Sequence, residues 1–474
     1  MNKLQTIFSR PILVVSCLVF FVLCYAYNSA TPYLTGGRLL YQRTTVADIG
    51  APDERAHISY IEHLLAGKGL PIMNPKAEDF GRTYQSHQPP LYYVLAAGWS
   101  KVVQANPIDP GHGTRLRLLN AFIGVATLVG LFSLCTWGFR SQFLGYLTVI
   151  LTSCTPMFLA LHAAISNDPL LICLCTWSMA LMAKALREGW TPRRAVGLGL
   201  LVGGALITKT SAFALVPALF LLFLFTRKKE DKVPWALVSV GIAIFIVLPI
   251  WMRNTSLYGD AFGLKAFKEA FAGSAQRADL VAMVAQMRES KGLSPEGAQT
   301  DYWVNWFGWW TARSYVGVFS QMDIFFSDLV YRVLLGLTGV LGLAGLFSWW
   351  KPRDETEKES RPLAWLLVTF FAIVALQFLQ FNLTYFQAQA RYLYPAVAAI
   401  NIPIAFGIRR FVGEKTAVLC VLLGLMVVGN ILALGYIGQE FEKRTGGEPT
   451  AALQTTDLRA VAVRTHRYSS DILG

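Results

Sequence analysis

Uninterrupted apolar stretches of about twenty residues recur along this sequence, and they restrict its fold more than any other feature. A hydrocarbon core ~30 Å thick takes ~20 helical residues to cross. Only helices and closed barrels satisfy their own backbone groups there, and the ~10-residue alternating segments of a barrel are absent. The expected spans lie at about 11–29, 116–137, 142–162, 168–186, 195–208, 211–226, 234–252, 329–350, 362–381, 392–408 and 416–437. The sequence therefore predicts an all-α polytopic membrane protein with about eleven transmembrane helices.

Composition agrees: of 474 residues, 54% are hydrophobic and 15% charged, where a soluble domain carries about a quarter charged. The net charge of +13 does not point to nucleic acid, because the Lys and Arg residues sit in short clusters between apolar blocks, the pattern that orients membrane segments. Seven cysteines all fall inside apolar blocks, with no CxxC pair, and read as small hydrophobes. The first block has a basic start at Lys3 and Arg10 but is long for a signal peptide, so it reads as an uncleaved anchor.

One segment decides the topology. Residues 89–103, PPLYYVLAAGWSKVV, are short and carry Lys101. If they span, Arg140 and the cluster Arg187, Arg193 and Arg194 move outside; if they lie along the surface as an interfacial helix, every short basic loop falls inside. The second choice is expected. It places the amino terminus in the cytoplasm, two long loops at about 30–115 and 253–328 on the outer face, and a polar tail, 438–474, outside. The membrane domain is then 1–437.

Long loops in a compact domain usually hold function, so their polar residues are the candidates. The first loop contains APDERAH, with Asp53 and Glu54 adjacent. Alone, such a pair is an ordinary surface turn; catalytically, one carboxylate accepts a proton from an attacking hydroxyl while its neighbour positions a substrate or cation. SHQPPLYY then sets His87 and Gln88 at headgroup level, with Tyr92, Tyr93 and Trp99 suited to the interface. ISNDPLL brings Asp168 to the outer end of the fourth span, where helix capping is its plain role and substrate contact an added one. Lys209, in ITKTS, lies at the same level; its surroundings superficially resemble a phosphate-binding loop, but Thr208 stands where glycine is needed. MRNTSLYGD supplies Arg253, either a snorkelling anchor or an anion ligand, and Tyr258. Trp303, Trp306, Trp309 and Trp310 suit an interfacial belt first and sugar stacking second. QAQARYLYP puts Arg391 at the outer start of the tenth span.

In this order APDERAH, SHQPPLYY, RLRLLNA, SNDPL, GGALITKTSAF, RNTSLYGD and ARYLYP resemble the GT-C superfamily of integral-membrane glycosyltransferases, over about Asp53 to Pro395. The nearest likeness is to bacterial members similar to protein O-mannosyltransferases and lipid A aminoarabinose transferases. The resemblance implies a GT-C-like fold with juxtamembrane helices on the outer face, first-loop carboxylates at the centre of the active site (here Asp53 and Glu54), and a second acidic position at Asp168. It also implies a polyprenyl-phosphate sugar donor. The aminoarabinose-type relatives carry a Lys just before the Pro of the interfacial segment; this chain has His87 and Gln88, which leaves donor recognition at that point unassigned.

The expected chemistry follows from location. Nucleotide sugars are not normally available outside the inner membrane of a bacterium, so a donor must arrive on a lipid. Asp53 is expected to deprotonate an acceptor hydroxyl, with Glu54 positioning it or sharing a divalent cation, and Lys209, Arg253 and Arg391 stabilising the departing lipid phosphate after a single, inverting displacement. A metal, if any, would sit at Asp53 and Glu54. The acceptor, a glycan, lipid or protein, is not legible. Two other classes fit a chain of this kind, a secondary transporter and a non-enzymatic envelope protein. The first places ionisable residues mid-membrane, where this sequence has essentially no Asp or Glu. The second leaves the facing acidic and basic residues without a role.

Overall fold

The structure, a computed structural model, describes residues 10–40, 43–226, 232–352 and 355–446. The basic start at Lys3, the cluster Arg227 to Lys229 and the tail from 447 lie outside them. The protein is 76% helical with almost no sheet. Its principal helices are α1 (Pro11–Ala30), α2 (Glu54–Leu65), α3 (Leu91–Val102), α4 (Gly113–Gly138), α5 (Gln142–Ser153), α6 (Pro156–His162), α7 (Asp168–Glu188), α8 (Pro192–Leu206), α9 (Leu215–Phe225), α10 (Lys232–Tyr258), α11 (Leu264–Ala270), α12 (Arg277–Ser290), α13 (Trp309–Val316), α14 (Asp328–Trp350), α15 (Arg361–Asn382), α16 (Val397–Val412) and α17 (Thr416–Thr445).

All eleven expected apolar segments are helical, but not all cross as single spans. Among the described residues eight are long and apolar enough: α1, α4, α7, α10, α14, α15, α16 with the turn before it, and α17. A ninth is α5 with α6, bent by 70°. Pro156 starts α6 without an N–H to continue the ladder of α5. The carbonyl freed at the break is taken up by a neighbour: Asn430 on α17 donates to Cys154 O at 2.8 Å, while Asn401 on α16 donates to Thr152 Oγ1 at 2.8 Å. The remaining two, α8 with 15 residues and α9 with 11, rise only about 22 and 16 Å at ~1.5 Å per residue, short of the core. The count of eleven full spans is thus not confirmed among the described residues, because the 195–208 and 211–226 segments meet at the turn carrying Lys209. The last helix runs on to Thr445, past the expected end at 437.

Close helix approach is set by glycine where α14 meets α16. A Cβ on Gly345 would stand 1.8 Å from Pro403 O, and one on Gly407 2.0 Å from Leu341 O. The main core gathers α1, α4, α5, α7 and α16 around Phe20, Phe132, Phe158 and Phe370.

The bundle has two chemically different ends. At one, Arg187 near the close of α7 pairs with Glu359, and Arg409 near the close of α16 with Glu357. At the other, where α7 and α16 begin, the two long loops meet. The hairpin β1 (Gly37–Leu39) and β2 (Thr44–Val46) belongs to the first loop, and β3 (Val318–Phe319) with β4 (Ile324–Phe325) to the second. They interlock: Leu40 N donates to Asp323 at 3.1 Å, Ser320 Oγ to Ile49 O at 2.8 Å, and Arg444 from the end of α17 reaches Asp323 at 2.8 Å. The segment that decided the topology is the 12-residue α3, about 18 Å long and too short to cross. Tyr92 and Tyr93 face the protein while Val94 and Leu95 are exposed, as a surface-lying helix requires.

Candidate active site

Asp53 immediately precedes α2 in a left-handed backbone conformation, φ 65°. A non-glycine residue there is uncommon, with Asp among those that tolerate it. The position is held because the Asp53 carbonyl accepts from Ala56 N at 3.0 Å and His57 N at 3.1 Å. This turn sends two adjacent carboxylates to different partners.

Glu54 goes inward. It is 1% exposed, and its two oxygens take Arg117 at 2.8 and 2.5 Å, with Ile165 N donating to Oε1 at 2.7 Å. Arg117, equally buried, spends its other protons on the closing turn of α1 and beyond, reaching Asn28 O at 3.1 Å, Thr31 O at 2.7 Å and Pro32 O at 2.9 Å. This pair binds α1, α2 and α4 together.

Asp53 keeps a quarter of its side chain exposed and makes two contacts. The Tyr84 hydroxyl donates to Oδ1 at 2.6 Å, and Arg391 pairs with Oδ2. Burial works to raise the Asp53 pKa, but the Arg391 charge and the Tyr84 hydrogen bond outweigh it and hold the carboxyl well below its ordinary range. Burial and the neighbouring Asp53 carboxylate keep Tyr84 protonated, far above the usual phenol value.

A second carboxylate–cation pair stands alongside. Lys209 Nζ lies 2.5 Å from Asp168 Oδ1. The capping expected of Asp168 is not what its carboxylate does. Ser166 Oγ accepts from Asp168 N at 3.2 Å, and the residue before α7 makes no side-chain cap. The Asp168 carboxylate is thereby released to Lys209. Tyr392 joins the pairs, its ring centroid 5.3 Å from Lys209 Nζ and 5.2 Å from the Arg391 guanidinium carbon. The Arg391 charge acts on both Asp53 and Asp168.

His87 and Gln88 line the same region. His87 Nδ1 meets Tyr84 O at 2.7 Å, Gln88 Nε2 meets His87 Nε2 at 3.0 Å, and Gln88 Oε1 accepts from Asn167 at 3.3 Å. These contacts fit one neutral tautomer, protonated on Nδ1. Burial pushes His87 down to about 4 and likewise His57, which contacts the Tyr93 hydroxyl at 2.8 Å. Helix α11 covers this wall, with Phe267 against His87 at 5.4 Å and Phe271 against Tyr84 at 6.0 Å.

Of the residues picked from sequence, the structure brings Asp53, His87, Gln88, Asp168, Lys209 and Arg391 to one place, with Glu54 directly behind. Arg253 and Tyr258 stand apart. Arg253 donates to Leu70 O at 3.2 Å and Pro71 O at 2.8 Å, and the Tyr258 hydroxyl accepts from Met73 N at 3.0 Å, so both fasten the first loop to α10. Trp303, Trp306 and Trp310 pack with Phe307 and Phe378 in a satellite core. The expected sharing of a cation by Asp53 and Glu54 does not fit: Glu54 is committed to Arg117 and Ile165, and Asp53 to Tyr84 and Arg391. Among the described residues no three His, Cys, Asp or Glu side chains gather as metal ligands. Sequence reasoning missed Arg117, Tyr84, His57 and Tyr392. For Arg117 a signal existed: it sits two residues past Arg115, inside an apolar block, where a cation demands a buried partner.

Asp48, behind Glu54, is raised to about 7 by burial and by the Glu54 charge. A raised carboxyl pKa stabilises the fold below the unfolded value, near 4, and that stability is lost as pH climbs through about 7. Asp48→Asn is therefore expected to melt progressively higher than the wild type as pH rises from 5 to 8, in the purified, detergent-held chain. Parallel melting curves at both pH values would contradict it.

The architecture is that of a multi-span membrane protein with a paired-charge site at one end, and comparisons narrow it. The chain superposes on the oligosaccharyltransferase AglB of Archaeoglobus fulgidus in complex with an inhibitory peptide and a dolichol-phosphate, at a TM-score of 0.54 and 13% identity, covering 95% of this chain and 57% of that one. A second structure of an oligosaccharyltransferase from that organism, tethered to an acceptor peptide containing the NVT sequon, gives 0.53 and 14%, covering 93% and 56%. This chain thus spans little more than half the length of those proteins. It has the GT-C fold that the motif order implied. Residues 87–252, which include His87, Asp168 and Lys209, match the family described as dolichyl-phosphate-mannose-protein mannosyltransferase. No curated protein matches the chain.

Proposed function

We propose that the protein is a glycosyltransferase that moves a sugar from a polyprenyl-phosphate carrier to an acceptor on the outer face of a bacterial inner membrane. The observation carrying this reading is the pairing of Asp53 with Arg391 beside that of Asp168 with Lys209, with Tyr392 between them. Two cations beside a partly open carboxylate suit a displacement in which a hydroxyl loses a proton while a phosphate departs. Asp53 accepts the acceptor proton as its oxygen attacks the anomeric carbon. The bond to the lipid phosphate breaks with inversion, and Arg391 and Lys209 receive the developing charge, Arg391 through its two-pronged geometry. An arriving phosphate competes with Asp53 for Arg391. As the guanidinium turns to the phosphate, Asp53 loses the charge that depresses its pKa and becomes a better base. Glu54 is a positioning residue, holding the first turn of α2 through Arg117. The family match and the dolichol-phosphate in the AglB complex support the donor class.

Vesicles carrying the full chain, a polyprenyl-phosphate-linked sugar and native envelope acceptor should release free polyprenyl phosphate. In Arg391→Lys, kcat/KM for the donor is expected to fall about 10- to 100-fold, since an ammonium keeps the charge but not the fork. Solute uptake without release of the carrier would replace this reading with transport.

A further inference from the structure

An open cleft of about 530 Å³ that the chemistry above does not use is lined by chain neighbours of Asp53 and Tyr84, though not by those two residues themselves. One wall is the outward face of α2, with Arg55 and Glu62. The other is the single helical turn Phe80–Thr83, with Arg82 and Thr83, and Lys68 and Asp79 complete the rim. Both walls adjoin the reacting pair along the chain: Arg55 is two residues beyond Asp53, and Thr83 directly precedes Tyr84.

The charges in this cleft are not used up by one another. Arg55 donates to Ala47 O at 3.0 Å, and its Nε stands 3.8 Å from Asp48 Oδ2, an ion-pair distance with no hydrogen bond at either atom. Arg82 faces Arg55 closely enough for their charges to repel. Among the described residues neither Arg82 nor Lys68 has an acidic group within ion-pair distance, although Glu62 and Asp79 line the same cleft. Two cations without an acidic partner, beside an arginine that makes only one loose ion pair, suit an anion that arrives with the ligand, and carboxylates and a threonine hydroxyl on the same surface suit sugar hydroxyls.

We propose that this cleft is a subsite for a phosphate-bearing saccharide, with Arg55, Lys68 and Arg82 on the phosphate and Glu62, Asp79 and Thr83 on the hydroxyls. That its occupant is the acceptor rests on the transferase reading; the binding itself does not. The site then selects an anionic acceptor and delivers a hydroxyl towards Asp53.

Calorimetry on the full chain in nanodiscs, with glucose 1-phosphate and with glucose, tests this. Glucose 1-phosphate should bind at least tenfold more tightly than glucose, and Arg82→Ser with Lys68→Ser should weaken it about tenfold per cation removed. Saturating polyprenyl phosphate should leave the affinity unchanged. Equal affinity for the two sugars, or unchanged affinity in the double variant with a wild-type melting curve, overturns the subsite. Displacement of the probe by polyprenyl phosphate overturns it too, since the phosphate recognised would then be the carrier's. Binding in Asp53→Asn at wild-type affinity upholds the subsite whether or not any sugar is transferred, so its failure and that of the transferase reading are told apart.

Discussion

Asp53→Asn should cut carrier release by about 10³-fold or more, the range lost with a general base, equivalent to about 4 kcal/mol of barrier. The amide occupies the same space and still accepts from Tyr84, so the Oδ1 hydrogen bond survives while the base is gone. Because Arg391 and Tyr84 outweigh burial and hold the Asp53 carboxyl below its ordinary range, the base is ionised before the donor arrives. The variant leaves Arg391 without its counter-ion, so a melting curve must accompany the assay. A folded variant that still turns over within twofold of the wild type would remove Asp53 from the chemistry.

Arg117→Leu should damage the fold more than any other single change at this end of the molecule. It strands Glu54, 1% exposed, without its cation and leaves the carbonyls of Asn28, Thr31 and Pro32 without their donor. Breaking a buried pair from one side costs about 3–5 kcal/mol, whereas replacing both partners is often close to neutral. Glu54→Gln with Arg117→Met is therefore expected to recover much of the lost melting temperature. Activity should recover less, because the first turn of α2 no longer holds Asp53 in place. If Arg117→Leu unfolds at the wild-type temperature, the pair is not the fastening described here.

Much of this was legible beforehand for physical reasons. Apolar length marks a span without knowledge of its neighbours, so the apolar segments and the short α3 could be read as helices from sequence, whereas the loop helices α2, α11, α12 and α13 could not. The failures concern breaks. Whether 142–162 crosses straight depends on Asn401 and Asn430 receiving the backbone of the bend, which lies about 250 residues away in sequence from Thr152 and Cys154. At the site, motif order drew attention to Asp53, Asp168, Lys209 and Arg391, but adjacency suggested that Asp53 and Glu54 act together. The left-handed backbone at Asp53 divides them, and no local pattern announces it. Arg253 and Tyr258 have the chemistry of ligands and the contacts of fasteners, a distinction made by the carbonyls of Leu70 and Pro71.

The Asp53–Arg391 pair closes across 338 residues of chain. During synthesis the carboxylate is made early, and among the described residues six candidate membrane segments, counting the bent pair as one, follow it before Arg391. Until Arg391 emerges, Asp53 lacks the cation that pairs with it in the folded protein. On the proposed transferase reading, competence to react is thus a property of the finished polypeptide, and a ribosome stalled before residue 391 leaves a product that lacks half of the pair.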